Sequence, residues 1–297
     1  MTDSPLLIAC SDVHLSENPP SFRSTEDDWF MAQARQLRWL KALGRELHCP
    51  IVVAGDIFDK AMGTTRLVNF AADEFPFSYA VAGNHDLPYH NLERVAISSY
   101  GTLIRAKKVV NIDDVVCVTS HGVSIALHGF SYGVAPRPCQ KHADIDVAVV
   151  HRFVWSDAAP CPMILSDSHI RVVKAQMPGY DFYIFGDNHG CFVDGNVINC
   201  GAFYRRCRGD ENWNPKVGLI YRDRIELLDI PVGNDSMNIV ESGKKGKTAR
   251  YDFSEFFDSL RQAESLTCDV DQLLQDYLRK HQVEPDVNTA IIHITES

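Results

Sequence analysis

Side chains with the chemistry of cation ligands fall in five short clusters of the 297-residue chain. These are Ser11-Asp12-Val13-His14, Gly55-Asp56-Ile57-Phe58-Asp59, Gly83-Asn84-His85-Asp86, the single His151, and Gly186-Asp187-Asn188-His189. Carboxylate, amide and imidazole donors together suit divalent cations, and cations held this way activate water for hydrolysis. Each cluster alone has a bland reading. An Asp-x-His pair is common, Gly-Asp is often a turn, Asn-His-Asp can cap a helix, and a lone histidine is usually a satisfied core residue. Their joint placement is what points to a metal site.

Each cluster follows a short apolar run. The runs are Leu6–Cys10, Ile51–Ala54, Tyr79–Ala82, Val147–Val150 and Phe182–Phe185, with Ser124–Leu127 as a further run. Continuous apolar stretches of this length predict strands buried on both faces. Between the first two, Asp27 to Leu47 carries Phe30, Ala34, Leu37, Leu40, Leu43 and Leu47 near helical period, and Pro50 marks the end of that helix. Strands alternating with helices predict a layered α/β architecture. Ligands of such folds bind beyond the carboxyl ends of the strands, where all five clusters would lie. Val217–Tyr221 and Ile225–Ile230 read as a late hairpin. Gly233–Lys247 reads as a polar linker, and Phe253–Gln262 and Val270–His281 as two amphipathic helices. The predicted division is a catalytic domain over 1–235 and a small helical appendage over 236–297.

With Asp-x-His, Gly-Asp-x-x-Asp, Gly-Asn-His-Asp, a lone post-strand His and a late Gly-x-x-His in this order, the stretch Leu6–Ile230 resembles the calcineurin-like metallophosphoesterases. The resemblance implies a β-sandwich flanked by helices, with two divalent metals at the strand ends. It implies that Asp12, His14 and His189 hold one metal, that Asn84, His151 and Asp187 hold the other, and that Asp56 bridges them. The two metals would activate a shared water. His85 would face the leaving-group oxygen as general acid or transition-state donor. Asp86 would either accept the second N–H of His85 or start a helix. One position departs from the family pattern: Gly-His-x-His is here Gly186-Asp187-Asn188-His189. An anionic oxygen there favours harder ions, so Mn²⁺ is expected, with Mg²⁺, Fe²⁺ and Zn²⁺ as alternatives. The same change could instead leave the second site weak.

Composition narrows the rest. With 45% apolar and 10% aromatic residues the chain can bury a core, and no apolar run approaches the roughly 18–20 residues of a membrane helix. Residues 1–10 lack the basic start and long apolar core of a signal peptide, so a soluble protein of a bacterial or phage-infected cytoplasm is expected. Nine cysteines without a Cys-x-x-Cys pair predict free thiols rather than a cysteine zinc site. Cys200 and Cys207 read as ordinary thiols. His121, His128 and His169 follow no ligand pattern, and Trp155 reads as a packing residue. A net charge of −10 argues against binding nucleic acid through bulk positive charge.

The substrate is argued from finer features. Asp12-Val-His-Leu-Ser-Glu-Asn-Pro-Pro20 and Gly83-Asn-His-Asp-Leu-Pro-Tyr-His-Asn91 resemble SbcD-type repair nucleases and their phage and prophage relatives. That resemblance implies a Mn²⁺-dependent DNA nuclease. The alternative is a phosphatase or phosphodiesterase acting on a small nucleotide or a phosphoprotein; a binding protein without catalysis is disfavoured by the full ligand set and His85. Arg205 and Arg206, with Arg208, follow the last motif and are expected to grip a phosphate backbone. Lys244, Lys245, Lys247 and Arg250 form a second basic cluster. Tyr89 and His90 follow the third motif and could reach substrate or simply lie on the surface. Acids dominate 251–297, which would repel DNA, while Phe253, Phe256, Phe257 and Leu260 form an apolar stripe. The resemblance to those nucleases implies an SbcC-type ATPase partner and a homodimer as expected assemblies.

Overall fold

Strands without polar alternation need cover on both faces, and two sheets packed face to face supply it. The computed structural model describes residues 4–159, 166–206 and 213–238. In chain order these form β1 (Leu7–Cys10), α1 (Trp29–Leu47), β2 (Ile51–Ala54), α2 (Thr65–Glu74), β3 (Ser78–Val81), α3 (Ser99–Arg105), β4 (Val109–Asn111), β5 (Val115–Ser120), β6 (Val123–Phe130) and β7 (Ile145–His151). They continue with α4 (Ile170–Gln176), β8 (Phe182–Gly186), β9 (Phe192–Asp194), β10 (Val197–Asn199), β11 (Lys216–Ile220) and β12 (Ile225–Asp229). One sheet has the order β12-β11-β1-β2-β3-β4, the other β5-β6-β7-β8-β10-β9. Both are mixed: β1, β2, β3 and β4 run parallel, as do β6, β7, β8 and β10, with antiparallel partners at the edges.

The two-residue period of a strand divides each apolar run between two cores. Leu7, Ala9, Val52 and Ala54 meet Leu127, Val147, Val149 and Ile184 between the sheets. Ile8, Cys10 and Val53 face outward and are covered by Leu37 and Leu40 of α1, Leu67 of α2 and Leu103 of α3. Ala148, Val150, Tyr183 and Phe185 are covered on the far side by Ile170 and Val173 of α4. The result is the helix–sheet–sheet–helix layering of the α/β class. The α1 helix begins where Asp28 caps it, its carboxylate accepting from Met31 N–H at 3.0 Å, a contact worth roughly 1 kcal/mol. It ends at His48, whose left-handed φ of 52° turns the chain before Pro50.

The late hairpin is β11 paired antiparallel with β12. Beyond it the chain folds back on the segment before α1. Asp235 pairs with Arg23 at 3.0 Å, Ser236 N–H donates to Glu26 at 2.8 Å, and Asn238 N–H donates to the Phe22 carbonyl at 2.7 Å. The expected helices Phe253–Gln262 and Val270–His281, and the basic cluster at 244–250, lie outside the described residues. Among the described residues no helix is long and apolar enough to cross a membrane, and Cys10, Cys49, Cys117, Cys139, Cys191 and Cys200 are free thiols.

Candidate metal centre

Five strand ends converge, but from two sheets. Asp12 and His14 follow β1, Asp56 follows β2, and Asn84 and His85 follow β3, all from the first sheet; His151 ends β7 and Asp187 and His189 follow β8 in the second. The turns that deliver them are tight. Asp12, His14, Asp56 and Asp187 have φ of 49°, 46°, 53° and 92°, left-handed conformations that cost on the order of 1–3 kcal/mol and concentrate at functional sites. Gly55 and Gly83 permit the close approach. A Cβ on Gly55 would stand 2.2 Å from the His151 ring, and one on Gly83 would stand 2.0 Å from Asp56 Oδ1.

The donors surround two adjoining spaces. Around the first, His14 Nε2 lies 3.2 Å from His189 Nε2, 3.6 Å from Asp56 Oδ2 and 3.9 Å from Asp12 Oδ1. His189 Nε2 is 4.0 Å from the same Asp12 oxygen. Around the second, His151 Nε2 is 3.5 Å from Asp56 Oδ2 and 3.0 Å from Asn84 Oδ1. One oxygen, Asp56 Oδ2, therefore faces both spaces, while Asp56 Oδ1 accepts the His85 backbone N–H at 2.9 Å. His151 Nδ1–H donates to the Ala54 carbonyl at 2.8 Å, so its Nε2 is left with a lone pair, the second-sphere arrangement of metal-binding histidines.

The residues fit cations on three counts. Donors about 2.1 Å from one ion stand ~3.0–3.4 Å apart, close to the spacings here. Asp12 and Asp56 are both buried side by side, a pair of carboxylates that divalent cations would neutralise. Burial, then the Asp56 charge, hold the Asp12 carboxyl well above its usual range, and burial raises Asp56 to about 7. Burial, then the Arg206 charge, hold His14 well below its ordinary value, and burial lowers His151, so the imidazoles are neutral donors. Two bound divalent ions would supply charge for the phosphate oxygens and a water of lowered pKa.

A model of the calcineurin-like phosphoesterase family matches residues 6–191. The chain belongs to that family. Members of that family are metal-dependent hydrolases, and the chain has the family's two mixed sheets and flanking helices. The solved structures it resembles include a candidate 5′-nucleotidase from Staphylococcus aureus, at 13% identity over 75% of this chain and 54% of that one, with a TM-score of 0.48. The chain thus spans about half the length of that protein. They also include the calcineurin-like phosphoesterase YfkN from Bacillus subtilis, at 13% identity, 77% and 91% coverage and a TM-score of 0.45. A third is an archaeal phosphodiesterase, at 12% identity, 75% and 99% coverage and a TM-score of 0.34. Likeness at this level carries no argument about substrate. No curated protein matches the chain.

Two expected roles need correction in this phosphoesterase, those of Asp86 and Arg205. Asp86 does not orient His85. Its fully buried carboxylate accepts from the backbone N–H groups of Ile57, Phe58 and Gly83 at 3.2, 3.0 and 3.0 Å, tying the β2 turn to the β3 turn. The His85 Nδ1–H goes instead to the Asp59 carbonyl at 2.7 Å. Asp187 approaches through its backbone: its N–H donates to both Asp12 oxygens at 3.1 and 3.2 Å. Its carboxylate is close enough for its charge to act on Asp12, Asp56 and His151. Arg205 is buried, and its guanidinium donates to the Trp213 carbonyl at 2.6 Å and Asn214 Oδ1 at 2.7 Å, so it is not presented to a phosphate backbone. Arg206 does lie beside the centre, donating to the His14 carbonyl at 3.2 Å and pairing with Asp59. Arg205→Ala is expected to cost about 2 kcal/mol or more in urea unfolding, whereas Arg206→Ala costs less stability and more activity.

Two contributors escaped the sequence reading. Asp59 was visible as the last residue of Gly-Asp-x-x-Asp. Its carbonyl aims His85, and its carboxylate stands 3.6 Å from His14 Nδ1, a buried nitrogen with no hydrogen-bond partner. Tyr132 had no signal, since no ligand cluster follows β6. Its N–H donates to the Ala82 carbonyl at 2.9 Å, which sets its ring 6.4 Å from that of His151. Trp155 packs edge-on against His169, ring centroids 4.5 Å apart.

Proposed function

We propose that this phosphoesterase is a Mn²⁺-dependent nuclease that hydrolyses DNA phosphodiester bonds, in the manner of the SbcD-type enzymes its motifs resemble. The observation that carries the nucleic-acid reading is an aromatic ledge beside the metal centre. The Tyr132 ring adjoins His151, the His90 ring lies 6.0 Å from Tyr132, and neighbouring Tyr89 is 83% exposed, with the Arg94 guanidinium 4.9 Å from its ring. Tyr89 and His90 are both held at left-handed φ, 56° and 53°. Exposed rings leading out of a phosphoester site suit unstacked bases, each worth roughly 1–3 kcal/mol by stacking. Two carboxylates and an amide oxygen among the donors support a hard ion such as Mn²⁺.

A small-nucleotide phosphodiesterase is the second reading. It is favoured by the engagement of Arg205 in the fold and by the pairing of Arg206 with Asp59. An SbcC-type partner rests on the 251–297 sequence alone.

The test is cleavage of labelled single- and double-stranded DNA with Mn²⁺, compared with hydrolysis of a small phosphodiester. The nuclease reading expects DNA cleavage that weakens with salt and whose KM rises by about tenfold for Tyr132→Ala. Hydrolysis of the small diester without any DNA cleavage would move the assignment to the second reading.

A further inference from the structure

On the outer face of the second sheet, under the loop between β6 and β7, lies a second cluster of ligand-type side chains. It is separate from the metal centre: Asp146 stands five residues before His151 on the same strand, about 17 Å along it. A ring nitrogen of His128, a ring nitrogen of His142 and a carboxylate oxygen of Asp146 lie within 4.8 Å of one another. His128 and His142 line a cavity of about 390 Å³ together with Asp113, Asp114 and Arg137.

A pair that merely braces β6 against β7 explains one oxygen of Asp146. Its Oδ1 sits 2.7 Å from His128 Nε2 and accepts the His142 backbone N–H at 3.0 Å. The other is less well satisfied, with the Lys141 ammonium 3.6 Å away and the Cys139 thiol beside the carboxylate. Asp146 is fully buried, and its Oδ2 has no hydrogen-bond partner. The Lys141 ammonium is held closer, at 2.6 Å, by Asp181. His142 is prepared in the same way as His151: its Nδ1–H donates to the Gln140 carbonyl, which leaves Nε2 with a lone pair. The Cys139 thiol, three residues earlier, lies against the same carboxylate; burial, then the Asp146 charge, push it up to about 11.

We propose that His128, His142 and Asp146 form a binding site for a cation of the zinc class, distinct from the hydrolytic centre. Two imidazoles and one carboxylate are borderline donors and select Zn²⁺ over Mg²⁺ or Ca²⁺. On binding, the cation takes the place of the proton between His128 and Asp146, and neutral His128 carries its proton on Nδ1. The ion would pin the 131–144 loop to β7.

The experiment is equilibrium dialysis of the full chain against Zn²⁺, followed by metal analysis of wild type, His142→Ala and Asp146→Asn. His142 is exposed and its loss should spare the fold; Asp146→Asn keeps the buried shape. Each variant is expected to bind one zinc fewer per chain than wild type while keeping its phosphodiester hydrolysis. Wild-type zinc content in both variants would overturn the site. The comparison is a difference between chains, so it holds however many ions the hydrolytic centre takes up.

Discussion

Asp56→Asn is expected to abolish hydrolysis while stabilising the metal-free protein at neutral and alkaline pH. Asp56 Oδ2 faces His14 at 3.6 Å and His151 at 3.5 Å, so one charge serves both metal spaces, and its removal should empty both. The activity loss should exceed the roughly 10²–10⁴-fold of losing an acid–base residue. The stability change has the opposite sign. The Asp56 carboxyl is raised to about 7 in the fold, against about 3.9 in an unfolded chain. The folded state therefore holds its proton more tightly, and stability declines as pH rises from about 4 through 7, by on the order of a few kcal/mol. Asparagine keeps the oxygen that accepts from His85 N–H and has no charge to bury. Thermal unfolding in chelator from pH 5 to 8 should show wild type losing stability and the variant losing less. Added Mn²⁺ should raise the wild-type melting temperature most at pH 8 and leave the variant unchanged. A variant that kept its metal-induced stabilisation would remove Asp56 from its shared position.

Where the sequence was legible, the physics was local. The runs Ile51–Ala54 and Phe182–Phe185 are strands at those bounds or within one residue of them, and α1 starts one residue after its cap and stops at Leu47. Continuous apolarity foretold burial on both faces. It could not foretell that the second face of β2 is a second sheet rather than a layer of helices, because both covers are apolar. The short strands β4, β9 and β10 carry too few residues for a period to show, and β5 is half exposed.

The convergence of the five clusters was legible for the same reason: residues that end a buried strand must emerge at its rim, whichever sheet it belongs to. Roles that depend on a particular hydrogen bond were not. Asp86 adjoins His85 in sequence, yet the turn directs its carboxylate to backbone N–H groups and leaves His85 to the Asp59 carbonyl. Arg205 and Arg206 are adjacent, yet one is buried in the fold and the other faces the centre. Spacing alone also hid His128, whose partners His142 and Asp146 reach it only through the loop and the pairing of β6 with β7.

His85→Ala is expected to reduce cleavage of alkyl phosphodiesters, DNA included, by roughly 10²–10⁴-fold, with metal content and melting temperature unchanged. The structural reason for unchanged metal binding is that His85 supports Asp56 through its backbone N–H, which alanine retains. Its imidazole donates only Nδ1–H, to the Asp59 carbonyl, and packs edge-on to His14 with ring centroids 4.8 Å apart. That contact aims Nε2 and leaves it available to a departing oxygen. The size of the loss should then depend on the leaving group. An alkoxide such as a deoxyribose oxygen needs a proton as the P–O bond breaks, whereas p-nitrophenolate departs without one. His85→Ala should therefore spare a p-nitrophenyl diester far more than DNA, by about tenfold or more. Equal losses on the two substrates, or a loss of bound metal, would make His85 a support of the ligand set rather than a donor to the leaving group.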